Sequence, residues 1–253
     1  MPHRKNRPNI LFILSDQHNA KVLGHAGHPD VLTPNLDRLA AEGTRFSTAI
    51  TQNPICTPSR MCFLSGQYCH NHGYYGLNGP HPGGLPTLLG HFRRAGYRTG
   101  AFGKIHTPEY WAEDDTDCLR ATGCCTLGTR EYHAYLRDRG VMDRLRRENA
   151  IKNPYGGQCY DGKPSEMAYR DSAEGWIASE TIAFMERCAE DDVPFIAWVN
   201  PPKPHQQYMP AREFWEMYDE NDLTLPPNAE YEMVNKPPHL VAKERQWRER
   251  TWQ

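Results

Sequence analysis

At 253 residues the chain can form one large domain, or one domain with an appendage. Its 29 basic and 31 acidic side chains nearly cancel to a net charge of −2, which leaves no global field to favour nucleic acid or an anionic membrane surface. A mean hydropathy of −0.77 and 21 prolines describe a loop-rich soluble chain.

The longest apolar run near the start, Ile10 to Leu14, is too short for a bilayer span or a signal-peptide core. Met1 to Arg7 reads as a basic lead-in, and a cytoplasmic location is expected. Asn9 to Ser15 is nearly all apolar, as in a strand covered on both faces of a parallel sheet, and it ends at Asp16-Gln17. Thr33-Pro34 opens a helix with Leu36, Leu39 and Ala40 on one face, and Gly43 closes it. Arg45 to Ile50 reads as a strand, and this rhythm argues for βαβ units.

Gln67 to Gly84 is rich in glycine with Tyr, His and Asn, and reads as a loop over a site. A helix from about Thr87 to Ala95 stops at Gly96, and Tyr97 to Gly103 is a strand leading to Lys104-Ile105-His106. Glu109 to Gly128 is irregular. Its acids Glu113, Asp114, Asp115 and Asp117 could bind a cation, but a solvated loop is the favoured reading. Glu131 to Arg147 is expected to be one surface helix, and Asn153 to Pro164 a loop near a substrate mouth. A longer helix, Glu174 to Ala189, feeds a strand from Pro194 to Val199, which ends at Asn200-Pro201-Pro202-Lys203-Pro204-His205. A short helix around Glu213 to Tyr218 and a charged helical tail, His239 to Trp252, follow.

The eight cysteines are irregularly spaced, unlike a secreted disulfide framework. Cys118, Cys124 and Cys125 lack the paired C-x-x-C of a zinc site. Cys56 stands apart. Thr57 can cap a helix and Pro58 fits its first turn, so Cys56 would sit just outside a helix N-terminus, where free N–H groups favour negative charge. Arg60 adds a permanent cation one turn in. The bland alternative is a small buried hydrophobe.

Three predicted strands end in chemically capable groups: Asp16-Gln17, Lys104-x-His106 and Lys203-x-His205. In open α/β sheets ligands bind beyond the carboxyl ends of the strands, so parallel neighbours would gather these pairs and Cys56 around one pocket. Each pair alone has an ordinary reading as a turn or a surface group. Their joint, ordered occurrence points to a site.

This set resembles the sulfatase family. Cys56, Pro58, Ser59, Arg60, Ser65 and Gly66 match its C-x-P-S-R pattern and Ser/Thr-Gly end, with Asp16-Gln17 before it and Gly103 to His106 and His205 after it. The resemblance runs from Asn9 to about Pro227. It implies an α/β, alkaline-phosphatase-like three-layer sandwich with a mostly parallel sheet, close to aryl- and choline-type sulfatases and phosphonate monoester hydrolases.

By the same resemblance, Cys56 is oxidised to formylglycine (3-oxoalanine) by a formylglycine-generating enzyme and becomes the nucleophile towards a small-molecule sulfate ester. A divalent metal is implied on Asp16, Gln17 and the Cys56-derived oxygen, calcium first, with manganese or magnesium as alternatives. Arg60, Lys104 and Lys203 would hold the anionic group, His106 would orient the hydrate, and His205 would protonate the leaving oxygen. Two departures follow. Gln17 stands where many members have a second aspartate; Asp-Gln also occurs in the related phosphonate and phosphodiester hydrolases, and under that reading Asn78 and Thr107 would contact the phosphoryl group. The chain also ends before the later acidic pair that completes the family's metal site, so it is expected to be the N-terminal part of a single catalytic domain and inactive alone, with a truncated non-catalytic remnant as a further alternative.

Overall fold

The computed structural model describes residues 7–79, 83–107, 113–122, 130–150, 162–227, 229 and 235–251. Cys124, Cys125 and Cys159, most of the expected loop at 153–164, nearly all of the basic lead-in and the last two residues lie outside them.

Among the described residues, four parallel strands form the sheet: β1 (Ile10–Ile13), β2 (Arg98–Lys104), β3 (Cys118–Thr122) and β4 (Phe195–Asn200), in the order β1-β4-β2-β3. Ile10 pairs with Ile196 and Gly103 with Asn200, so β1, β4 and β2 end along one edge. The helices are α1 (Pro34–Glu42), α2 (Cys56–Ser65), α3 (Cys69–His72), α4 (Leu88–Arg94), α5 (Arg130–Asp138), α6 (Met142–Ala150), α7 (Ala173–Glu190), α8 (Arg212–Trp215) and α9 (Pro238–Thr251).

Period-two alternation divides the core between the two faces of the sheet. Phe102, Phe195, Ala197 and Val199 pack with Trp176, Ile177 and Phe184 of α7 and with Tyr132, Leu136 and Leu145 of α5 and α6. Ala101, Ile196 and Trp198 face the other way, onto Leu64 of α2 and Leu89 of α4. Helix layers on both faces explain why β4 is buried at all six positions. Gly103 interrupts the alternation in β2. Its φ of 84° is left-handed, and a Cβ there would overlap the Asn200 carbonyl oxygen, so only glycine fits.

Several expectations need correction. No strand forms at 45–50, where Phe46 and Ile50 are exposed and meet no neighbouring strand. Among the described residues β1 lies at the sheet edge with Leu11 and Ile13 exposed, where cover on both faces was expected. The surface helix expected over 131–147 is two helices, because Gly140 (φ 68°) turns the chain between α5 and α6. The irregular acidic stretch holds β3, and the glycine-rich loop holds α3. The acids themselves are engaged. Asp115 accepts from Thr87 Oγ1, while Asp117 accepts from Thr99 N at 2.9 Å and pairs with Arg93 at 3.1 Å.

Candidate active site

The site lies at the carboxyl edge of the sheet, where α2 packs beside the ends of β1, β2 and β4. Cys56 is the first residue of α2. Thr57 does not cap it: the N-cap is Ile55, whose N–H is taken by Asn53 Oδ1 at 2.8 Å, and Thr57 Oγ1 is buried without a partner among the described residues. Pro58 falls in the first turn as expected, where its missing N–H costs nothing.

Beneath Cys56 is a buried charge cluster. Asp16, just past β1, receives Lys104 Nζ at 2.6 Å and Arg60 Nη2 at 3.1 Å on the same carboxylate oxygen, Oδ2. Arg60 Nη1 also donates to the Lys104 carbonyl and to Asn200 Oδ1, both at 2.7 Å. Burial opposes ionisation of Asp16, but the hydrogen bond and charge of Lys104, followed by those of Arg60, outweigh it and hold the carboxyl below its ordinary range. At Cys56 burial again opposes ionisation. A hydrogen bond with His106 and the nearby Lys104 and His106 charges outweigh it, so the thiol lies below its ordinary value.

Cys56, Asp16, Gln17, Arg60 and His205 line one open cleft of about 520 Å³, with Leu77 on its wall. Gln17 is exposed at a φ of 60°. His205 is 7% exposed, and its Nδ1 lies 2.7 Å from the Gln206 carbonyl oxygen. The structure thus gathers Asp16, Gln17, Cys56, Arg60, Lys104, His106 and His205. Lys203 is not among the residues that line this cleft. Its ammonium donates to the Gln207 carbonyl in a separate cavity of about 50 Å³, where Glu148 and Glu174 supply negative charge. Asn78 is exposed next to Leu77, and Thr107 Oγ1 is buried without a partner among the described residues.

Sequence reading missed Asn200. It is fully buried at the end of β4, and its Nδ2 donates to the Phe102 and Trp198 carbonyls while its Oδ1 receives Arg60. The available signal was an amide closing an otherwise apolar strand, since a buried polar group needs partners.

The expected metal ligands can be tested against this arrangement. Asp16 and Gln17 offer oxygen, but two cations already share Asp16 Oδ2 and Gln17 carries no charge. A hard divalent ion takes about 6 to 8 oxygens and favours anionic ones. The described residues alone do not fit such an ion. The formylglycine position fits better, because Cys56 is half-buried at the cleft wall with a proton acceptor and cations beside it.

A sequence model described as Sulfatase matches residues 8–237. An ulvan-active sulfatase from Formosa agariphila is 32% identical over 226 residues, covering 88% of this chain and 40% of the relative. An arylsulfatase from Clostridium perfringens is 29% identical over 231 residues, covering 87% and 48%. The chain therefore spans less than half the length of these curated relatives. Among solved structures, the phosphonate monoester hydrolase of Agrobacterium radiobacter superposes with a TM-score of 0.70 at 23% identity, over 87% of this chain and 45% of that one. That likeness bears on fold, and the α/β parallel-sheet architecture expected from the sequence is the one observed.

Proposed function

The chain belongs to the sulfatase family, and from that membership we propose that it carries the nucleophile-bearing part of a sulfuric ester hydrolase. The observation supporting this most directly is the convergence of Cys56, His106, Lys104 and Arg60 at the end of one cleft. Oxidised to formylglycine by a formylglycine-generating enzyme, Cys56 supplies an aldehyde whose hydrate is an oxygen nucleophile.

The remaining work falls to the chain's own side chains. Lys104 and Arg60, facing a single carboxylate, leave a positive potential under Cys56 that favours a sulfate monoester anion and the charge developing on it. His106, already hydrogen-bonded to Cys56, holds or accepts the nucleophile's proton. His205 lies across the cleft, with Nδ1 beside the Gln206 carbonyl. Protonated at Nε2, it delivers the proton to the departing alcohol or phenol. The metal that the family implies is assigned no step. Its remaining ligands, calcium as its first candidate, are part of the proposal for the whole protein and not of the described donor set.

A second reading has one observation in its favour. Gln17 lines the cleft with a neutral amide, at the position where the sulfatase resemblance implies a second aspartate in many members and a glutamine in phosphonate and phosphodiester hydrolases. Phosphonate or phosphodiester hydrolysis with the same nucleophile is then the alternative, with Asn78 and Thr107 as contacts.

One preparation tests both readings. The protein is produced with a formylglycine-generating enzyme, and the Cys56 peptide is probed with a hydrazide and by mass spectrometry. An aldehyde at Cys56, absent from Cys56→Ala, is expected. A thiol that alkylates completely removes the nucleophile from either reading. Rates of the whole protein, of which this chain carries the nucleophile, on sulfate and phosphonate esters of one phenol then separate them, with faster sulfate turnover expected.

A further inference from the structure

Less than two turns after Cys56, α2 carries a second cysteine that the reaction centre does not use. Cys62 Sγ lies 3.5 Å from Cys69 Sγ and 3.3 Å from His72 Nε2. Cys69 and His72 begin and end α3, and all three side chains are buried, at 4%, 7% and 6% exposure. Such a trio suits either of two chemistries: a thiolate-preferring cation, or a thiol pair that oxidises.

His72 decides between them. The Tyr74 backbone N–H donates to His72 Nδ1 at 3.1 Å, so Nδ1 is the acceptor and the proton of the neutral ring sits on Nε2. Nε2–H therefore points at Cys62 Sγ and has no lone pair to offer a metal. A ligating histidine has the opposite arrangement, with its second nitrogen donating to an acceptor. Here that nitrogen faces a donor.

We propose that Cys62 and Cys69 are a redox pair that a peroxide closes to a disulfide, tying the helix of the reaction centre to α3. The Cys62 thiolate, with His72 Nε2–H beside it, attacks one peroxide oxygen. The O–O bond breaks, Cys62 becomes a sulfenic acid, and the departing hydroxide takes the thiol's proton as water. Cys69 sulfur then attacks Cys62 sulfur. The S–S bond forms, the S–O bond breaks, and the second hydroxide leaves with the Cys69 proton as water. Two electrons pass from the sulfurs to the peroxide, which is small enough to reach sulfurs this buried. The sulfurs must close from 3.5 Å to about 2.05 Å.

Burial and the hydrogen bond with Cys69 push the Cys62 thiol up to about 11. Thiolate is scarce at neutral pH, so the pair stays reduced until peroxide is sustained. The closed bridge would fix the turn at Gly66 between α2 and α3, and with it the start of the segment that carries Leu77 to the cleft wall.

The test uses the chain with Cys56→Ala, so that the reaction-centre thiol does not interfere. Samples titrated with hydrogen peroxide are blocked with N-ethylmaleimide, unfolded and cut with chymotrypsin, which cleaves after Phe63 and Tyr68. Two peptides joined through Cys62 and Cys69, lighter by two hydrogen atoms and separated by dithiothreitol, are expected before Cys118 or Cys188 is consumed. The oxidised protein should melt several degrees higher, and Cys69→Ser should lose both the link and the shift. Free Cys62 and Cys69 at peroxide levels that consume Cys118 overturn the proposal. So does a link from Cys62 to any other cysteine, or a stoichiometric zinc ion whose removal by a chelator first exposes the two thiols.

Discussion

Phe184 on α7 is 2% exposed and packs against Phe102 and Phe195, whereas Phe46, four residues past α1, is 80% exposed. The contrast extends to the flanks that hold them. Around β4, β2 and β3, helix layers cover both faces of the sheet, and the apolar residues form two continuous clusters. Around β1 and α1, Leu11, Ile13, Leu36, Leu39, Phe46 and Ile50 remain exposed. Apolarity shows that a residue gains by burial, but it does not show whether a partner layer is present. The same residue type therefore contributes to stability on one flank and little on the other.

The largest effect that tests this contrast is a pair of truncations. Phe184→Ala should cost about 3–5 kcal/mol, because it removes a ring from a closed core and leaves a cavity. Phe46→Ala should stay within about 0.5 kcal/mol, as for other surface changes. Urea unfolding of each protein measures the difference. Similar losses would mean that Phe46 is covered in solution and that the flanks do not differ as described.

The charge cluster joins the two flanks, since Asp16 follows β1 while Lys104 ends β2 and Arg60 lies on α2. Lys104→Met should destabilise by about 3 kcal/mol, because it leaves the buried Asp16 carboxylate with one cation instead of two. The loss should be local. Amide exchange should rise in β1 well before β3, and adding Asp16→Asn should recover part of the stability by removing the undercompensated charge. Equal deprotection of β1 and β3 would show that the cluster does not pin the edge strand.

Legibility in the sequence did not follow cover: β3 and the break between α5 and α6 lie on the covered flank and were not expected. β2, β4, α4 and α7 fall close to their expected bounds, the two helices because they start on caps: Thr87 accepts from Gly90 N at 2.9 Å and Ser172 from Gly175 N at 3.1 Å. α1 was legible from Pro34 and Gly43, which mark its ends whatever covers its face. Residues 45–50 misled because a short segment with strand-forming residues such as Phe46, Thr48 and Ile50 becomes a strand only where a neighbouring strand supplies hydrogen bonds. In the candidate site, the strand-end reading named Asp16, Lys104, His106 and His205, which the fold brings near Cys56 or its cleft. Pairing was not legible. That Asp16 engages both Lys104 and Arg60 depends on contacts between segments far apart in sequence, and that the Gln207 carbonyl captures Lys203 depends on how the chain turns over four residues.

The smallest expected effect lies inside the covered flank and depends on pH. Tyr132 is 2% exposed, and its hydroxyl donates to the Asp171 carbonyl at 2.7 Å. Burial, and then the nearby Glu174, Glu148 and Asp171 charges, push its ionisation far above the ordinary tyrosine value. The folded protein therefore keeps this proton at a pH where the unfolded chain has released it. When the folded state holds the extra proton, stability is full below the unfolded pKa and falls as pH rises past it. The decline should begin near pH 10, about the ordinary tyrosine value, and approach roughly 1.4 kcal/mol per pH unit for this one group. Tyr132→Phe should lose about 1 kcal/mol at neutral pH with the Asp171 hydrogen bond, yet decline less steeply in alkali. Tyr135 is also raised, by burial and then by its hydrogen bond to Asp171, so some alkaline slope should persist in the variant. Urea midpoints of both proteins between pH 8 and roughly 11, a range spanning the ordinary tyrosine value, give the two slopes. Parallel slopes would mean that the Tyr132 phenol ionises as readily in the fold as out of it, and that this part of the core is open to water.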